Sequence, residues 1–156
     1  MNTSTWICDN CGELIQRAED GWVEWLIPQP DEHGKRHGRG LRLVHHLPAS
    51  PHNSCQYDKD EEFRRDGSIL QSSALEHFLG PDGLMLLLSK LARDVLPKDE
   101  VLEMIKRLHI PGYEHARQHF QRAIDDGVFE ANMPDGYYWQ SDIDAVLRFL
   151  EREENQ

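Results

Sequence analysis

The stretch Cys8-Asp9-Asn10-Cys11-Gly12 constrains this chain more than any other. Two thiols separated by two residues, with glycine after the second, make a turn. Its backbone amides point at the sulfurs and its thiolates grip one soft cation. A closed tetrahedral site needs four donors. The third cysteine, Cys55, and a histidine lying just before it complete the set. The expected ligands are Cys8, Cys11, His45 and Cys55. His46, and His52 through its His-x2-Cys spacing with Cys55, are the alternatives to His45. An odd number of cysteines, all within the first 55 residues, fits a metal site better than a disulfide framework.

A module this small needs such an ion, because a short β unit has too little core to fold by burial alone. Gly21-Trp22-Val23-Glu24-Trp25-Leu26-Ile27 is rich in aromatic and β-branched residues and stops at Pro28, which predicts a strand. Leu41 to His45 alternates as its partner, placing Leu41, Leu43 and His45 on one face. The predicted boundaries are a zinc-binding β module over 1–57, a charged linker over 58–70 and a helical module over 71–156. The fold class expected is α+β.

The Cys8, Cys11 and Gly12 turn resembles the first knuckle of zinc-ribbon and treble-clef modules, which implies structural Zn2+. Those families supply a second Cys-x2-Cys where this chain has only Cys55 and histidine. His45-His46, with Pro48 and Asn53 after them, resembles a fragment of an HNH nuclease, whose histidine activates water beside a divalent ion. The terminal histidine of that motif has no counterpart near Cys55. The favoured reading is therefore a closed, non-enzymatic site.

The second half reads as helices. A short helix is expected over Ser72 to Leu79. Leu84, Leu87, Leu88, Leu91 and Val95 form one apolar stripe, and Val101, Leu102, Ile105 and Leu108 form another. A third helix carries Ala116, Phe120, Ala123 and Ile124 inward. Val128 to Ala131 and Tyr137 to Trp139 then read as strands around Asn132-Met133-Pro134-Asp135-Gly136. Ser141 and Asp144 predict a capping-box start to a last helix. Helices followed by a hairpin resemble, over residues 84 to 139, the architecture of a winged helix-turn-helix.

That resemblance implies a partner. Arg117, Gln118, Gln121 and Arg122 lie on the outward face of the third helix, and arginine and glutamine pair with guanine and adenine edges in a major groove. The basic loop Lys35 to Arg42 offers a second phosphate contact. Charge argues the other way. The net formal charge is -11, and an acidic surface repels phosphate. DNA is the first partner expected of a regulator or adaptor, and protein docking or dimerisation without DNA is the alternative.

The longest aliphatic run, Leu84 to Leu88, is far short of a membrane span, which takes about 20 residues. Met1 to Trp6 lacks the basic flank and apolar stretch of a secretory signal, so the expected location is the cytoplasm.

Overall fold

A computed structural model describes residues 4–51 and 54–156. It is a mixed α+β structure with two small antiparallel sheets and, among the described residues, six α-helices. The chain divides into two compact units, residues 1–109 and 110–156. No helix among the described residues is long and apolar enough to cross a membrane.

The first unit opens with β1 (Trp6–Ile7) and β2 (Leu14–Ile15), an antiparallel pair whose connecting turn is the Cys8 to Gly12 stretch. β3 (Gly21–Ile27) is the central strand of the second sheet, flanked by β4 (Arg39–His45) and β5 (Ile69–Ala74), both antiparallel to it. β3 and β4 are thus the strands that the aromatic and alternating patterns predict. Val23 pairs with Leu43 and Glu24 with Arg42, so alternation puts the apolar pair on one face and the charged pair on the other.

The charged run after Cys55 is not a linker. Asp58 caps α1 (Lys59–Asp66) by accepting the amides of Asp60 and Glu61, and Gly67 ends it in the left-handed region. β5 follows at once, where a helix was expected from Ser72. The strand wins because the backbone groups of β3, buried along most of its length, need a second ladder partner, and Trp25 gains a hydrogen bond to Gln71 across it.

α2 (Gly80–Arg93) and α3 (Lys98–His109) belong to this first unit. Leu87, Val101 and Met104 join Val23, Trp25, Ile27, Leu43, Leu75 and Phe78 in one buried cluster. The division by packing therefore falls after His109, not within 58–70, because the sheet needs those helices to cover its apolar face. The α2 stripe is also rotated from expectation. Leu87 is fully buried, whereas Leu88 and Val95 are exposed.

The second unit holds α4 (Tyr113–Ala116), α5 (Phe120–Asp125) and α6 (Gln140–Glu154). Residues 117–119 break the expected third helix into two, though Ala116, Phe120 and Ala123 are buried as predicted. No strand forms over 128–139, so the hairpin is absent. The aromatics that suggested it serve the core instead: Tyr138 stacks on Phe120 with ring centroids 3.6 Å apart, and Phe129 meets both edge-on. α6 begins without a side-chain cap, Trp139 occupying the N-cap position and Ser141 lying within the first turn.

Candidate metal centre

The β1–β2 turn builds half of the site. Gly12 adopts a φ of +78°, the conformation glycine accepts without strain, and its amide donates to the Cys8 carbonyl at 3.0 Å. The Cys8 amide donates across to Glu13 O at 3.0 Å. This fold leaves the amides of Asn10 and Cys11 directed at the Cys8 sulfur.

β4 supplies the imidazole. Asp9 and Leu43 exchange hydrogen bonds, the Asp9 amide to Leu43 O and the Leu43 amide to Asp9 Oδ2, both at 2.8 Å. That exchange docks the turn against the strand two residues before His45. His45 Nδ1 then lies 3.5 Å from Cys11 Sγ and 3.8 Å from Cys55 Sγ. Its Nε2 lies 3.0 Å from Leu14 O. A carbonyl only accepts, so Nε2 carries the proton and Nδ1 presents a lone pair to the sulfurs.

Cys55 arrives from the segment after β4. Its amide donates to Ser50 Oγ at 3.3 Å, and its carbonyl accepts from Arg42 Nη2 at 3.0 Å. Glu24, fully buried, holds Arg42 Nε at 2.7 Å and accepts the Tyr57 amide. A carboxylate and a guanidinium facing each other on β3 and β4 thus position the third thiol.

The donor atoms of Cys8, Cys11, His45 and Cys55 all lie within 4.8 Å of one another. Cys8, His45 and Cys55 are buried and Cys11 partly so. These four could hold a metal ion, and they are the four expected from spacing. The thiols differ in character. Burial works to raise Cys8, but the amides of Cys11 and Asn10 and the His45 group bring it down to about 7. Burial pushes Cys11 up to about 11, helped by the neighbouring Cys8 and Cys55. One thiolate forms readily and the next resists. A bound cation supplies the charge that would let all the thiols ionise together.

His46 is not part of the cluster. Its ring stacks on Trp22, centroids 4.8 Å apart and planes 12° from parallel. The two histidines of the nuclease-like fragment therefore serve different neighbours. His52 and Asn53 lie outside the described residues.

The face expected to read DNA is engaged within its own unit. Arg122 pairs with Glu153 and lies over the Phe149 ring, and Gln121 Nε2 donates to Asp125 Oδ1 at 2.9 Å. Arg117 is half-buried and also partnered, and Gln118 is exposed. In the basic loop, Lys35 pairs with Asp94, Arg39 with Glu62 and Asp66, and Arg42 with Glu24.

Sequence reasoning missed Asp9, Glu24, Arg42 and Arg107, which hold the ligand-bearing segments. One signal was available for Glu24, a lone charge inside an apolar strand, where an unpaired carboxylate would be prohibitive. Arg107 carries no such mark.

No protein-family profile, curated protein or solved structure matches this chain.

Proposed function

We propose that this protein is a non-enzymatic adaptor whose first unit is consolidated by one structural Zn2+ and whose second unit docks a protein partner. The observation that carries the first part is the convergence of three sulfurs and one imidazole Nδ1 within 4.8 Å. Soft thiolates with one imidazole favour Zn2+, and four protein donors fill a tetrahedral shell with no position left for water. That donor count supports a structural role over a hydrolytic one.

The partner reading rests on charge and on the missing wing. Residues 110–156 hold ten Asp and Glu against four Arg and no Lys. The arginine best placed to read bases, Arg122, is committed to Glu153. Trp139 and Tyr137 stand exposed instead, the pairing of aromatic surface with acid that suits a basic polypeptide. DNA binding by the expected Arg117, Gln118, Gln121 and Arg122 face is the competing reading.

Mobility shift of mixed-sequence duplex by the full chain at low salt separates the two. Protein docking predicts no shift. A salt-sensitive shift abolished by Arg117→Glu with Arg122→Glu would replace docking with DNA regulation.

A further inference from the structure

Arg107 sits near the end of α3, 98 residues from Asp9, yet it brackets the first thiol ligand from both sides. Nη1 donates to Asp9 Oδ1 at 3.0 Å and Oδ2 at 2.7 Å. Nη2 donates to the Ile7 carbonyl at 3.0 Å. The residues before and after Cys8 are therefore both fixed by one guanidinium. Asp9 Oδ2 is shared with the Leu43 amide, so the same carboxylate joins the turn, β4 and α3.

The Arg107 side chain is 3% exposed. A buried ion pair is a poor source of stability, because desolvating both charges offsets most of their attraction and an apolar pair of equal volume commonly does as well. Simple packing of α3 onto the sheet is already served by Val101 and Met104. What the guanidinium adds is orientation, because its donors lie in one rigid plane and hold the Asp9 carboxylate, through Nη1, and the Ile7 carbonyl, through Nη2, in a fixed relation to each other. Outer groups that orient metal ligands govern affinity in this way.

We infer that Arg107 is a positioning residue of the metal centre, holding the Cys8-to-Cys11 turn in its ligating shape through Asp9 and Ile7, so that α3 and metal occupancy are energetically linked. This rests on the metal-binding reading above. Linkage runs both ways: an ion in the site also holds the end of α3.

The test uses the full chain and Zn2+ itself. Zinc affinity is measured by competition with a chromophoric chelator, and thermal unfolding is followed with and without zinc, for the parent, Arg107→Met, Arg107→Lys and Asp9→Asn. Arg107→Met should weaken zinc binding roughly 10- to 100-fold. The zinc-induced rise in melting temperature should shrink with it, and Arg107→Lys should restore part of both. A merely structural arginine would lower the zinc-free and zinc-loaded melting temperatures equally and leave that rise intact, which would overturn the inference. Should Arg107→Met fail to fold, Asp9→Asn decides, since it keeps the side chain's shape and weakens the charged contact. Undiminished affinity in Asp9→Asn would overturn the proposal. A parent that binds no zinc would remove the metal reading as well, whereas a zinc-binding parent with indifferent variants removes this inference alone.

Discussion

His45 Nε2 faces the Leu14 carbonyl at 3.0 Å, and that contact leaves the other ring nitrogen, Nδ1, toward the sulfurs. With Nε2 protonated, Nδ1 is the only lone pair the ring offers. His46, one residue on, turns to the other side of the strand and lies against Trp22. Removing each should therefore have unlike effects. His45→Ala should lower zinc affinity by more than about 100-fold, more than the loss of an outer-shell group. His46→Ala should keep full metal content and cost about 1 kcal/mol through the lost stack. Metal analysis after dialysis, with denaturant unfolding, reads both.

Gly83 occupies the first turns of α2, where alanine would ordinarily stabilise a helix by about 1 kcal/mol. Here a Cβ would meet Phe78 C at 2.0 Å and Phe78 O at 2.4 Å. The backbone there belongs to a short 3-10 turn carrying Leu75 and Phe78 into the core, so it has no room to retreat. Gly83→Ala should destabilise by about 1–3 kcal/mol, the cost of overpacking, in urea unfolding. An unchanged or increased midpoint would contradict the close approach.

Phe120 is the hub of the second unit, touching Tyr113, Phe129 and Tyr138. Phe120→Ala should cost about 3–5 kcal/mol, the usual penalty for emptying an aromatic site. Near-UV circular dichroism should register the loss of aromatic order. Zinc content should stay at the parent's value, because the four donors all lie within residues 1–109.

Lys90 lies over the Trp25 ring, 4.1 Å from its centroid. Burial lowers its pKa, with Arg93 adding to the effect. A lysine whose folded pKa is depressed binds fewer protons than in the unfolded chain between that value and the ordinary 10.5. Its contribution to stability is thus unfavourable at neutral pH and fades as pH rises through that window. Lys90→Met, which keeps the stem and drops the charge, should be at least as stable as the parent at pH 7. The gain should narrow as pH approaches 10.5. A loss exceeding about 1 kcal/mol at pH 7 would mean the cation–π contact outweighs desolvation.

Much of the first unit was legible because its signals are chemical or strictly periodic. Cys8, Cys11 and Cys55 announce a candidate site by residue type, and the alternation of Leu41, Leu43 and His45 pointed to the imidazole that lies beside them. β5 was hidden because Gln71-Ser72-Ser73 has no apolar rhythm; an edge strand there is held by its backbone ladder to β3 and by the Trp25–Gln71 hydrogen bond, neither of which leaves a hydrophobic pattern. Tyr137-Tyr138-Trp139 misled in the opposite direction. Aromatics in a row suit a strand, but Tyr138 is drawn to Phe120 by stacking while Trp139 starts α6. The ion pairs behind the ligands, Asp9 with Arg107 and Glu24 with Arg42, span 98 and 18 residues, separations at which single-sequence patterns carry no pairing information.

One ion held by Cys8, Cys11, His45 and Cys55 would consolidate the first unit. Elemental analysis of the purified full chain, with the Co2+-substituted form examined by absorption spectroscopy, measures it directly. The prediction is one zinc per chain, and in the cobalt form intense thiolate charge-transfer bands with the visible spectrum of a tetrahedral site, both lost in Cys8→Ser and Cys55→Ser. A chain that folds with no bound transition metal, or a cobalt spectrum showing bound water and fewer than three sulfurs, would contradict it.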